Sequence, residues 1–287
     1  MKKKLLIFFS VIILVFLSIF GYARYIGTKG LIIKEIKIIN HKIPANFHGF
    51  KIAHLSDIHY GRTVTEKELN NAIAKVNLLK PDIVVLTGDL LDRDIKLSNN
   101  DIKKLIKILN KINPTIDKYA ISGNHDFDYG LKDWLSIIEK SNFINLNDTY
   151  ELIYKNDIIP ILINGMSTNL RKGSKIQQKL EPFETFLNND NDISPAYKIM
   201  IMHEPDFIDD FEINNFDLIL AGHSHNGQVR LPFIGAIIKP NGAHKYYDSH
   251  YKIYNTDLYI SSGLRTSIIN VRLFNKPSFN FYRLTNK

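Results

Sequence analysis

The stretch Lys51-Ile52-Ala53-His54-Leu55-Ser56-Asp57-Ile58-His59 decides how this chain is read: an apolar run, then a carboxylate and an imidazole two residues apart. A run of this kind reads as a buried strand, and side chains two apart on extended backbone point to one side. One such pair says little. Working outward, Gly88-Asp89 follows the Val/Ile-rich run 82–87, and Gly123-Asn124-His125 follows the run 116–121. His203 follows the run 197–202, and Gly222-His223-Ser224-His225 follows the run 216–220. Chance rarely supplies such a set at the exits of successive apolar runs, and in this order it can hold two metal ions.

Between these exits the first half alternates strand and helix. Thr65-x-x-Glu68 is a capping-box pattern opening an apolar-periodic stretch at 69–79 that Pro81 ends. Residues 98–112 read as a lysine-studded amphipathic helix and 131–140 as another, while 31–39 reads as an edge strand. Right-handed βαβ units of this kind build a mostly parallel sheet whose ligand sites lie beyond the C-terminal strand ends, where Asp57, Asp89 and Asn124 stand. The second half is richer in strands, at 150–154, 158–163, 197–202, 216–220, 258–261, 268–273 and 279–283, which predicts a second sheet. Residues 172–179 read as a surface loop and 188–192 as a polar linker. The Tyr/His-rich stretch 243–254 could rim a site, pack on a membrane or form satellite core.

The chain of 287 residues suffices for one large α/β domain, expected over 31–287. Five of the +8 formal charges lie in residues 1–30, which hold no acid, leaving +3 for the body. No concentrated basic stripe is left to suggest a nucleic-acid binder. With no cysteine, thiolate metal sites and disulfides are excluded. Residues 5–23 are almost wholly apolar, about the length that crosses a hydrocarbon core, with Lys2, Lys3 and Lys4 before them. That layout fits a signal peptide, whose cleavage would give a secreted protein, or an uncleaved signal anchor. The anchor is favoured: the run exceeds a usual signal core, and no clear small-x-small cleavage site follows. The expected order is a cytoplasmic 1–4, a single transmembrane span at 5–23, a linker at 24–30 and an extracytoplasmic body.

The motifs D-x-H, G-D, G-N-H-D, H-x-P and G-H-x-H, in order over residues 51–226, resemble the calcineurin-like metallophosphoesterase signature. Residues 227–232 and 259–264 further resemble its membrane-associated bacterial branch of YkuE and YaeI type. Asn226 and Arg265 stand where that branch favours glycine, and Ser278 where it favours an acid. The resemblance implies a four-layer α/β/β/α sandwich of two mixed sheets and two divalent cations (Mn, Fe, Zn, Co or Ni). It implies one metal held by Asp57, His59 and His225, and another by Asn124, His203 and His223, with Asp89 shared. Two dications about 3.5–4 Å apart need such an anionic bridge. It further implies His125 as acid for the departing oxygen. Asp92 is the orienting carboxylate preferred over Asp126, and Arg93 and Asn226 are candidate substrate contacts.

The implied reaction is hydrolysis of a phosphodiester, phosphomonoester or pyrophosphate by in-line attack of a hydroxide held between the metals. An anchored, outward-facing site points to an envelope lipid or cell-wall substrate, with soluble nucleotide esters as the other option. The rival readings are a catalytically inactive scaffold binding a membrane or protein partner, and a nuclease or cyclic-nucleotide phosphodiesterase. The remaining histidines, His41, His48, His54, His244 and His250, have no partner at ligand spacing and default to structural or surface roles. No P-loop or nucleophile-elbow pattern supports nucleotide-driven transfer or serine hydrolysis.

Overall fold

Apolar runs in this chain are of two kinds: runs apolar at every position become central strands, and runs apolar every third or fourth become helices laid across them. The computed structural model describes residues 1–170, 175–189, 193–267 and 269–287. The first sheet contains β1 (Ile32–Ile39), β2 (Lys51–Leu55), β3 (Ile83–Thr87), β4 (Asp117–Ile121) and β5 (Ile144–Asn145). The second contains β6 (Thr149–Ile153), β7 (Ile161–Gly165), β8 (Tyr197–Ile201) and β9 (Leu218–Ala221). A small ribbon of β10 (Arg230–Leu231) and β11 (Gly235–Ala236) follows, then β12 (His250–Ile253) and β13 (Thr256–Ile260) of the second sheet. The chain then returns to the first sheet as β14 (Ser278–Thr285).

The sheet orders are β1-β14-β2-β3-β4-β5 and β12-β13-β9-β8-β7-β6. Each is mixed: β14 runs antiparallel to β2, and β12 and β6 run antiparallel to their neighbours. Helices α2 (Glu66–Leu78), α3 (Asn99–Leu109) and α4 (Asn124–Lys140) cover the outer face of the first sheet, burying Leu69, Leu105 and Trp134 against Val84, Leu86 and Phe281. The sheets meet through Ile52, Val85 and Ile121 on one side and Ile163, Ile201 and Leu220 on the other. Helix α5 (Ile176–Asn188) and the short turns around Ile208 and Phe216 cover the second sheet. The result is the expected four-layer α/β/β/α sandwich, and each fully buried aliphatic side chain contributes about 1.5–3 kcal/mol.

Local signals set the helix starts. Thr65 accepts from the Glu68 N–H while the Glu68 carboxylate accepts from Thr65, and Ser98 and Asp101 repeat the exchange before α3. Helix α4 begins at Asn124, earlier than the expected 131, and breaks at Gly130, whose φ of 139° no helix residue holds. Helix α5 was not anticipated within the loop expected at 172–179; residues 171–174 lie outside the described residues. The expected linker at 188–192 likewise falls partly outside, at 190–192. The strand expected at 268–273 does not form over 269–273, where a single bridge joins Leu273 to Val229, and Ile268 lies outside the described residues. In the stretch 243–254, Tyr246 packs into the core beneath the second sheet.

Helix α1 (Lys2–Tyr25) precedes all this and is long and apolar enough to cross a membrane. Its 24 residues span about 36 Å, more than a hydrocarbon core of about 30 Å. The topology fixes where it leaves the body. Because β14 opposes β2 and β1 parallels β14, β1 starts at the end of the first sheet where β2, β3 and β4 finish. There the last turn of α1 is docked: Ala23 O accepts from Arg272 N at 2.9 Å, and Ala23, Gly27 and Thr28 are buried.

Candidate metal centre

Asp57 and His59 lie beyond the end of β2, and their backbones are left-handed, with φ of 52° and 48°. The strand pleat therefore does not aim them, as the sequence suggested; a pair of tight turns does. Asp89 (53°), His223 (65°) and His225 (48°) share that conformation. Each costs a non-glycine residue about 1–2 kcal/mol, strain that collects where function must override propensity. Two glycines make room for the group. At Gly88, φ is 91° and a β-carbon would crowd His203, and at Gly222 a β-carbon would collide with Ser56 Oγ.

Each of four histidines has one ring nitrogen on a protein acceptor. His59 Nδ1 lies 3.0 Å from Asp92 Oδ2, and His203 Nδ1 lies 2.7 Å from Thr87 O. His223 Nε2 lies 2.8 Å from Asn241 O, and His225 Nδ1 lies 3.1 Å from Arg265 O. The carbonyl contacts assign the N–H of His203, His223 and His225 and leave their other nitrogens as lone pairs, while at His59 the nearby carboxylate marks Nδ1 as the protonated side. The lone pairs converge: His59 Nε2 and His225 Nε2 are 3.4 Å apart, and His203 Nε2 and His223 Nδ1 are 3.3 Å apart. Asp57 Oδ1 lies 3.5 Å from His225 Nε2, and Asp89 Oδ2 lies 3.2 Å from His203 Nε2 and 3.8 Å from His59 Nε2. Asn124 Oδ1 is buried with no hydrogen-bond partner among the described residues. Acceptors facing acceptors fit two divalent cations, one among Asp57, His59 and His225 and one among Asp89, His203 and His223.

Burial sets the electrostatics, and the carboxylates modify it. Burial drives His225 down to about 3, and burial together with His203 lowers His223, so both are neutral donors. At His203 burial acts the same way, but Asp89 outweighs it and raises the imidazole; at His59 the Asp92 contact and Asp89 do so. Burial opposes ionisation of Asp89, yet His203 and its neighbours hold it well below the carboxylate range. Ligands must be deprotonated, so protons and dications compete for His59 and His203.

Asp92 faces two rings at once, with Oδ2 3.0 Å from His59 Nδ1 and 3.5 Å from His125 Nδ1. Its Oδ1 accepts from Arg62 Nη1 at 2.9 Å. Asp126 does not orient His125: it accepts from Leu91 N and Gly123 N at 2.8 and 2.9 Å, joining two ligand loops. Arg93 lines the cavity over the site, with Nη1 3.3 Å from Asp128. Asn226 is buried away from that cavity, its Oδ1 3.3 Å from Arg230 Nη1. Sequence reasoning passed over Arg62 and Arg272. Arg272 is fully buried, donates to Ser262 O and Arg265 O, and lies 3.4 Å from His225 Nδ1. Nothing in its local sequence marks either role.

The cavity measures about 350 Å3. Asp89, Asn124, His125, His223 and His225 form its polar side, and Leu170, Val229, Ile238, Ile269 and Val271 its apolar side.

Paired imidazoles beside Asp57 and Asp89 at strand ends fit the centre of a dinuclear metal-dependent phosphohydrolase. Residues 50–227 match the calcineurin-like phosphoesterase family, and the chain belongs to it. It is 30% identical over 269 residues to the Bacillus subtilis metallophosphoesterase YkuE, covering 92% of this chain and 89% of that protein. It is 28% identical over 295 residues to YkoQ of the same organism, covering 97% and 99%. A Danio rerio transmembrane protein with a metallophosphoesterase domain is 24% identical over 225 residues, covering 77% of this chain and 50% of that protein.

Proposed function

We propose that the chain hydrolyses a phosphoester carried by an envelope lipid or cell-wall intermediate, from a single-pass anchor with its catalytic body outside the cytoplasm. The observation that carries the hydrolytic part is the convergence of four imidazole lone pairs on Asp57 and Asp89. Divalent cations bound there would polarise a phosphoryl oxygen and lower the pKa of water. Asp57, His59, His225 and Asp89 would hold one, and Asn124, His203, His223 and Asp89 the other.

The chain's own groups do the rest. His125 lines the cavity with Nδ1 toward Asp92, so Nε2 is the atom that carries a proton to the leaving oxygen. Asp92 keeps that ring and His59 in register. Arg93 stands where it can pair with a phosphate oxygen. The apolar side of the cavity favours a substrate with a hydrocarbon part. The membrane part of the reading is supported by the exit of α1 at the strand ends that carry the site, and by Lys2, Lys3 and Lys4 ahead of the apolar helix.

The test is turnover of paired nitrophenyl mono- and diesters across divalent metals, with Asp89→Asn and Asn124→Ala beside the parent chain. Both variants should fall steeply, and unchanged turnover in both would sink the site. A parent chain without activity under any metal would favour a scaffold instead. For the proton, His125→Ala should cost about 10^2- to 10^4-fold on an alkyl ester. It should cost little on a nitrophenyl ester, whose leaving group needs no acid.

A further inference from the structure

Just past the family match at residue 227, the ribbon β10–β11 carries its turn out into solvent. At the turn Phe233 is 108% exposed and Ile234 71%, and Phe233 has a left-handed φ of 66°. A bulky residue in that conformation costs about 1–2 kcal/mol, and an aromatic ring left in water adds to it. Ile237, Ile238, Ile269 and Phe274 continue the exposed apolar surface. Such a surface on a folded domain marks a partner.

Contacts within this region indicate which partner. The ribbon is tied to the 269–273 segment by Gln228 Nε2 to Ile269 O at 2.8 Å, by Arg230 N to Leu273 O at 3.0 Å and by the Val229–Leu273 bridge. That segment holds the exit of α1, because Arg272 N donates to Ala23 O at 2.9 Å and Gly27 packs so closely that a β-carbon would collide with Arg272 O. Tyr22, Tyr25, Arg24 and Lys29 at that exit are the residue types that sit at headgroup level. The apolar turn is thus braced to the end of an apolar helix long enough to cross a bilayer, and Ile238 and Ile269 also line the cavity mouth.

We infer that this ribbon is a second bilayer contact, with Phe233 and Ile234 entering the lipid interface beside the exit of α1 and holding the cavity mouth against the leaflet. It rests on the reading of α1 as a membrane span and is independent of hydrolysis.

The test uses the full chain reconstituted in phosphatidylcholine vesicles with or without brominated acyl chains. The chain's one tryptophan, Trp134, is buried in the core and gives a constant background. Phe233→Trp places an indole at the turn. Ile158→Trp places one, 85% exposed as isoleucine, before β7 at the strand ends opposite the site. Brominated lipid should quench the added emission of Phe233→Trp about twofold or more and leave that of Ile158→Trp unchanged. Protein that floats with the vesicles while Phe233→Trp stays unquenched overturns the contact and leaves the anchor. Emission that is blue-shifted, insensitive to bromine and dependent on protein concentration assigns the surface to a second copy and likewise overturns it. Protein that does not float overturns both contact and anchor.

Discussion

The two sheets supply unlike halves of the centre. From the ends of β2, β3 and β4 come Asp57, His59, Asp89 and Asn124; from the ends of β8 and β9 come His203, His223 and His225, all imidazoles. Both anions thus belong to one sheet, together with Asp92 and His125. In the proposed reaction the first sheet would neutralise cation charge and carry the proton, and the second would close the coordination. The layer between the sheets therefore sets the spacing of the donors as much as any single ligand does.

Replacing one donor from each half tests that division most severely. Asp89→Asn removes the anion near both clusters and should cost at least about 10^3-fold in turnover, near 4 kcal/mol. His223→Ala removes one neutral donor and should cost less, on the order of 10^2-fold, with part recovered at higher metal. Equal losses would break the distinction. Next comes stability, since cations held by donors from both sheets would bind only the folded chain. At a hundredfold excess over Kd they add about 2.7 kcal/mol. Stripping them with a chelator should lower Tm by roughly 5–10 °C, and an unchanged Tm would mean the halves are held apart without them. Third, Asp92→Asn should weaken metal binding about 10- to 100-fold through His59. Calorimetric titration giving parental affinity would confine Asp92 to His125.

The effect that leaves turnover at neutral pH least touched lies beneath the first half. His54 is fully buried, 2.8 Å from Thr87 Oγ1, and burial drives it to about 3 from 6.5, with Asp57 pulling weakly the other way. Between those values the unfolded chain binds more protons than the folded one. Stability is therefore full above pH 6.5 and falls on acidification, by up to about 1.4 kcal/mol per unit. His54→Gln should flatten the acid limb of the urea midpoint; parallel limbs would exonerate His54.

Much of this was legible in the residues. Every ligand motif stood at the exit of an apolar run, and the capping boxes at Thr65 and Ser98 placed two helices within a few residues. Helix α5 was missed although Ile176, Leu180 and Phe183 stand at helical spacing, because Lys179 and Pro182 interrupt the stripe. Lys179 is in fact buried, with its ammonium 2.9 Å from Ser167 O. The aim of Asp57 and His59 was misread, since a left-handed turn leaves no trace in hydrophobic periodicity. Asn226 looked like a pocket residue because its motif neighbours are; tertiary contacts turn its amide toward Arg230 instead.

The position of β14 has a consequence for the making of the protein. It lies between β1 and β2, so the latest-made of the fourteen strands among the described residues separates the two made first. While the ribosome adds the roughly fifty residues between the last ligand motif and β14, about 3–10 seconds of synthesis, β1 and β2 stand with open edges and β1, the strand after α1, has no neighbour. Synthesis of β14 thus acts as a timer on the first sheet. A protease that clips β14 would reopen the gap between β1 and β2 and undo the first sheet from its middle.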